Sequence, residues 1–320
     1  MHLLLEWLLS SPALEPKDTP QEDGPQEDWW TAYLAAAHPW ATPLERAAVG
    51  GFIADRLAYA FAAGYHNALR ALLPGLPGLP DDHPAALCIT EDGGAHPRAI
   101  ATRLEPTAEG HGRLIGTKRW ATLADRARVL FVAASLGQTP DGRNQLRLVR
   151  VPADAPGVTL TLMPETPFIP EIRHATVRFD GAPVSAADIY PGDGYQRYIK
   201  PFRTVEDLHV HAALVGHLLG VARRHRWPRE SCEQLATFLA ALRTLADAPP
   251  ASAAIHVTLA GLLELFNRFL SETQAHWQLV DADTRTRWQR DQGLLAVAAR
   301  ARGQRREVAW QALTAQAHPA

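Results

Sequence analysis

A proline-dense stretch, Pro74-Gly-Leu-Pro-Gly-Leu-Pro-Asp-Asp-His-Pro84, limits the fold more than any other feature of this chain. Its four prolines lack amide donors and push their predecessors toward extended backbone, so no helix can run through it. The patterns on its two sides differ. Before it, Leu44, Ala48, Ile53, Leu57, Phe61, Ala68 and Leu72 recur near a 3.6-residue period. That predicts a helix over Pro43 to Leu73, weakened locally by Gly50, Gly51 and Gly64. After it come short β-favouring runs: Val129 to Ala133, Gln145 to Val151, Val158 to Leu162 and Ala175 to Phe179, separated by Gly, Pro and Asp. A domain boundary is expected between residues 83 and 84.

Beyond Gly192 the helical period returns. Leu208, Ala212, Val215, Leu219 and Ala222 form one apolar stripe, ended by Trp227-Pro228. Leu235, Leu239, Leu242 and Leu245 form a second, ended by Pro249-Pro250, and Ile255, Leu259, Leu262, Phe266 and Leu270 a third. A fourth helix is predicted from about Thr284 past Trp310. The expected fold is α+β: N-terminal helices (1–83), a central antiparallel β-barrel (84–191) and a C-terminal four-helix bundle (192–320). Residues 16 to 28, with three prolines and five acids, read as an exposed loop.

Composition removes several classes. A net charge of −2 argues against a general polyanion binder, so no nucleic-acid partner is expected. Two cysteines, Cys88 and Cys232, without paired spacing fit a reducing cytoplasm. The first nine residues are apolar but lack a basic start and are too short to span a bilayer, and no other run approaches that length, so a soluble chain is expected. His209, His211, His217 and His225 share a helix without the i, i+3 or i, i+4 spacing of helical metal ligands, so no metal is expected. Neither a G-x-S-x-G elbow nor a G-x-G-x-x-G or Walker loop occurs.

The stretch from Ala86 to Thr122 opens with Ala-Leu-Cys-Ile-Thr-Glu-Asp-Gly-Gly and ends with Gly-Thr-Lys-Arg-Trp-Ala-Thr. It resembles the middle domain of the acyl-CoA dehydrogenases, where a Thr-Glu strand end and a G-x-K-x-W-x-T strand face a flavin. Val151-Pro152, Pro156-Gly157-Val158 and the Val177 to Val184 strand follow in the family's order, and Arg203 to Ala222 resembles its first bundle helix. The resemblance covers roughly residues 85 to 225 and hardly reaches the first 80. It implies FAD as cofactor, with Thr90 donating to the pyrimidine edge of the flavin, Trp120 covering one ring face and Thr122 bonding near N5 and O4. It also implies an acyl thioester substrate, on CoA or a carrier, and a homo-oligomer, dimer or tetramer; the electron acceptor is left open.

Common members of that family carry a glutamate base after an Arg-Asp pair near the C-terminus. Here the pair is Arg290-Asp291, and gapless counting puts Ala299 at the base position. A branch of the family places its base early in the first bundle helix, ten residues before a glycine; counting back from Gly216 gives Glu206, the candidate base. The plainer reading makes Glu206 a first-turn acid favoured by the helix dipole. The family's arginine after this position is Asp207 here, its glycine-rich cofactor segment is replaced by Gln274-Ala-His-Trp-Gln-Leu-Val-Asp, and the serine of its "GSD" is Ala95. The basic run Arg285, Arg287, Arg290, Arg300, Arg302, Arg305 and Arg306 reads as a solvated, subunit-facing surface, with an anion site for CoA or cofactor phosphates as the next option. Two functions follow: α,β-dehydrogenation of an acyl thioester with FAD as hydride acceptor, or a flavin-free or catalytically silent homologue serving as a binding or assembly subunit.

Overall fold

A computed structural model describes residues 1–11, 26–73, 83–107 and 110–317. Contacts group the chain into two units, one of Met1–Ala71, Pro167–Glu171 and Thr204–Ala320, the other of Leu72–Thr166 and Ile172–Arg203. The N- and C-terminal helical segments therefore share a unit. Most of the boundary expected at Pro74 to Pro84 and of the loop expected at 16 to 28 lies outside the described residues, although helix already begins at Gln26.

The helical unit holds α1 (His2–Ser10), α2 (Gln26–Ala37), α3 (Pro43–Ile53) and α4 (Leu57–Leu72), most of α5 (Lys200–Arg224), then α6 (Arg229–Ala246), α7 (Ala253–Glu272), α8 (Ala282–Asp291) and α9 (Ala299–Ala317). Thr42 and Glu45 start α3 with reciprocal bonds between each side chain and the other's amide, ahead of Pro43. The single helix expected over 43–73 is two, broken where Ala54 turns extended and its N–H closes onto Gly51 O. The glycines on either side of the break allow close packing. A Cβ at Gly51 would stand 1.8 Å from Ala213 O, and one at Gly64 would stand 2.6 Å from Val210 Cα. Both α3 and α4 thus meet α5 backbone to backbone, which two short helices achieve and one straight helix, crossing once, does not. These glycines trade helix propensity for close approach.

The predicted α5 stripe, Leu208 to Ala222, is buried throughout, but so are Thr204, Asp207, His209, His211 and His217. A helix covered on all sides is a core helix. Its three buried histidines donate from Nδ1 to carbonyls: His209 to Val205 O at 2.7 Å, His211 to Asp207 O at 2.6 Å and His217 to Ala54 O at 3.1 Å. Burial lowers the pKa of His209 and His217 to about 4, so both are neutral at neutral pH.

The four leucines of the α6 stripe are buried as expected. On α7 the buried set is Leu259, Leu263, Phe266 and Phe269, rotated from the predicted stripe, while Leu265 is exposed. By length and mean hydropathy (1.3) α7 is apolar enough to cross a membrane, contrary to the expectation that no later run reaches that length. The predicted fourth bundle helix is also two, α8 and α9, separated by a 3₁₀ stretch at Gln292–Ala296 that contains Gly293. Trp288 is buried and stacks on Trp277 at 4.6 Å, whereas Trp310 is exposed.

The other unit is a seven-stranded sheet: β1 (Ala85–Cys88), β2 (Arg103–Pro106), β3 (Gly112–Thr122), β4 (Val129–Gln138), β5 (Asn144–Pro152), β6 (Val158–Leu162) and β7 (His174–Val184). The order is β1-β4-β2-β3-β7-β6, with β5 on β4. The four strands read from composition are present. The antiparallel barrel is corrected to a curled mixed sheet, because β1 and β2 both pair with β4 in parallel. Inward residues such as Cys88, Leu114, Leu130, Val149, Val177 and Phe179 form its core. A π-helical turn, Tyr195–Ile199, then leads into α5.

Candidate functional site

Three of the four residues singled out by sequence lie in the sheet unit. Thr90 follows β1, and Trp120 and Thr122 end β3. The Arg119 N–H donates to Thr90 O at 2.8 Å, which ties the two strand ends side by side. Under them lies an ion pair that sequence reasoning missed. Lys118, wholly buried, donates from Nζ to Glu91 Oε1 at 2.6 Å and to Ile89 O at 3.2 Å. Glu91 also accepts the Ala101 and Thr102 amides at 2.8 and 3.0 Å. Burial pushes the Glu91 carboxyl up, but the Lys118 ammonium and these hydrogen bonds outweigh it and hold the pKa below the usual carboxylate range. Removing one partner of such a pair leaves an uncompensated buried charge, at a cost of about 3–5 kcal/mol. The pair therefore fixes the two strand ends to each other.

Strand β3 is irregular above this pair. Its ladder with β7 shifts between Lys118 and Ala121, and Trp120 and Leu123 both have φ of 58°. A left-handed conformation at such residues costs roughly 1–3 kcal/mol and concentrates at functional sites. The shift leaves Ala121 in the core and the Trp120 indole 49% exposed. Beside it, Thr122 Oγ1 lies 3.3 Å from His174 Nδ1, and the His174 ring meets the indole edge-on at 5.6 Å. An open aromatic face beside the partly exposed Thr122, with the partly exposed Thr90 joined to the same strand end through Arg119, suits a flat ring with acceptors along its edge. These residues fit the ring portion of a flavin.

The fourth residue, Glu206, lies in the helical unit, partly exposed on α5. Its neighbour Asp207 is only 7% exposed and is held by two arginines of α9, Arg302 at 3.3 Å and Arg305. Two members of the basic run thus serve an internal clamp. Arg290 makes another: it pairs with Asp291 at 2.7 Å and Glu171 at 2.8 Å, Glu171 also meets Arg56 at 3.2 Å, and Asp291 accepts the Ile169 N–H at 2.7 Å. The solvated-surface reading of the run is corrected for Arg302 and Arg305, whereas Arg290, though ion-paired, stays exposed. Ala299 is exposed in the first turn of α9. In place of a glycine-rich loop, Gln274–Leu279 is a 3₁₀ helix whose Trp277 packs between Trp227 and Trp288. His96, beside Ala95, accepts the Arg98 amide at 3.2 Å and starts a short turn. A shallow groove lined by Thr107, His111, Arg113 and Asp188 lies at the opposite end of β3 from Trp120.

Residues 86–182, which include Thr90, Trp120 and Thr122, match the family model of the acyl-CoA dehydrogenase middle domain. The curated protein named "Probable acyl-CoA dehydrogenase YngJ" of Bacillus subtilis (strain 168) is 28% identical over 112 residues; the match covers 34% of this chain and 28% of that protein's length. Among solved structures, the prolyl acyl carrier protein oxidase AnaB is similar in fold over 98% of this chain and 97% of its own, with a TM-score of 0.71 and 16% identity. Butyryl-CoA dehydrogenase from Megasphaera elsdenii is similar over 89% of each chain, with a TM-score of 0.64 and 12% identity.

Proposed function

We propose that this chain, a divergent relative of the acyl-CoA dehydrogenases, is a flavin-dependent oxidoreductase that removes hydrogen across the α and β carbons of an acyl thioester. The observation that carries this reading is the open Trp120 indole, held in a left-handed backbone with Thr122 on one side and tied through Arg119 to Thr90. A bound flavin would supply the two-electron acceptor for the β hydride. The chain's own residues do the rest. Trp120 covers one ring face and excludes water there, and the Thr90 and Thr122 hydroxyls donate to the ring's edge. The Glu206 carboxylate accepts the α proton. The likeness to an acyl carrier protein oxidase over nearly the whole of both chains supports a carrier-bound acyl group beside a CoA ester.

Purified protein tests this directly. A yellow preparation, or a colourless one that takes up FAD with about one site per chain and is bleached by an acyl thioester, is the expected result. The competing reading, a silent binding subunit, draws on the packed Trp277 within Gln274–Leu279 and on Ala299. Protein that stays colourless with added FAD decides for it.

Assembly with a second copy belongs to the same proposal. Leu265 on α7 and Trp310 on α9 stand exposed on helices that pack together. An interface of the obligate kind buries about 2,000 Å² or more and survives dilution. Light scattering at micromolar concentration should give a dimer or larger; a monomer mass contradicts this part.

A further inference from the structure

His174 opens β7 directly opposite Thr122 in the ladder, and nothing in the sequence marked it. Its ring touches both residues of the β3 end: Nδ1 lies 3.3 Å from Thr122 Oγ1, and the ring meets the Trp120 indole edge-on at an interplanar angle of 69°. We propose that His174 is a positioning residue that sets the polarity of the Thr122 hydroxyl, its Nδ1–H donating to Oγ1 so that the hydroxyl hydrogen is left for an acceptor on the edge of a bound flavin. The inference rests on the flavin reading above.

The hydroxyl has one hydrogen to give. Were it spent on the imidazole, Thr122 would turn only lone pairs toward its ligand. An oxidised flavin presents acceptors, N5 and O4, at the edge assigned to Thr122, so two acceptors would face each other unpaired. An imidazole that donates removes the conflict. Burial lowers the His174 pKa, with Asp125 opposing, so the ring is neutral at neutral pH and carries one N–H to place. The same ring braces the indole at its strained backbone position. One side chain therefore holds both the wall and the donor, by two contacts that substitutions can separate.

The experiment titrates cofactor-free protein with FAD, following the quenching of flavin fluorescence, in wild type, His174→Phe, His174→Asn, Thr122→Val and the double variant His174→Phe/Thr122→Val. Circular dichroism and thermal melting accompany each titration. His174→Phe keeps a ring against Trp120 and loses the N–H that orients the hydroxyl. Thr122 keeps its hydrogen but no longer holds it toward the flavin edge, so binding should weaken about threefold to fivefold at an unchanged melting temperature. That is less than the roughly tenfold expected of Thr122→Val, where the hydrogen bond itself is lost. His174→Asn, whose amide can donate to Oγ1, should bind like wild type, within about 1.5-fold, a rescue that mere packing does not give. The double variant should bind no more weakly than Thr122→Val alone, because the two residues act through one bond. If His174→Phe melts early, the comparison moves to Asn: His174→Asn must retain binding, and on a Thr122→Val background it must change nothing. Wild-type affinity in a folded His174→Phe, failed rescue by asparagine, or additive losses overturn the assignment while the flavin reading stands. A wild-type chain that takes up no FAD overturns both.

Discussion

Replacing Trp120 and Thr122 together by alanine is expected to strip flavin from the protein while leaving its helical circular dichroism nearly intact. The two side chains contribute little to the core: the indole is half exposed, whereas Ala121 between them is buried and stays. The Lys118–Glu91 pair beneath is untouched, so the strand ends remain tied. What is lost is a stacking face, worth about 1–3 kcal/mol for a planar heterocycle, and one hydrogen bond, worth about 1 kcal/mol. Together that is roughly 2–4 kcal/mol, or about 30- to 1,000-fold in affinity. Alanine at position 120 inherits the left-handed backbone, so the strain there is not relieved in a way that would mask the loss. Gel filtration followed by an absorption spectrum reads the result. A double variant that keeps one flavin per chain through gel filtration would sink the assignment of this edge.

Periodicity revealed the helices but not their breaks. The α5 and α6 stripes are buried as read; on α6 the stripe is the buried face and leaves a plain signal, while the further burial of α5 beyond its stripe is hidden by its polar residues. The break at Ala54 left only the local weakening at Gly50 and Gly51, because the contact of Gly51 with Ala213 joins residues far apart in the chain. The barrel erred for a related reason: alternation reveals strands, while the direction of β1 against β4 is set by a connection that composition does not describe. Thr90, Trp120 and Thr122 were legible as motif residues, and the structure brings their strand ends together through Arg119 and Thr90. The sequence holds the parts of the Glu91–Lys118 pair in the two halves of that motif, but only the fold shows the charges buried. His174 could not be found at all, because its partner Thr122 lies 52 residues away and a lone histidine at a strand start is unremarked in sequence. The arginines of α9 misled for the converse reason: a dense basic run reads as a solvated face, and only the buried Asp207 shows where Arg302 and Arg305 point.

Glu206→Gln should abolish the acyl-dependent bleaching of bound flavin without disturbing fold or flavin content. The substitution keeps size and polarity and removes only the capacity to accept a proton, so the loss is one of chemistry. General-base removal costs on the order of 10²–10⁴ in rate. The neighbouring acid supplies the control. Asp207→Asn alters a group about 100° around the helix from Glu206, already committed to Arg302 and Arg305. Its effect should appear in stability, because a buried carboxylate with two cationic partners is being neutralised, and the partly solvated arginines reduce that loss below the 3–5 kcal/mol typical of fully buried pairs. A lower melting temperature with bleaching within a few-fold of wild type is therefore expected for Asp207→Asn, and the reverse for Glu206→Gln. Ala299→Glu added to Glu206→Gln places a carboxylate at the position that resemblance to the common family members gives their base, and partial recovery of bleaching is expected. The measurement is single-turnover absorbance with an acyl thioester that bleaches the wild type. Equal rates for wild type and Glu206→Gln remove Glu206 from the mechanism. A wild type that holds flavin but bleaches with no acyl thioester, on CoA or on a carrier, would instead favour the binding-subunit reading and make the acid at 206 a helix-start residue and nothing more.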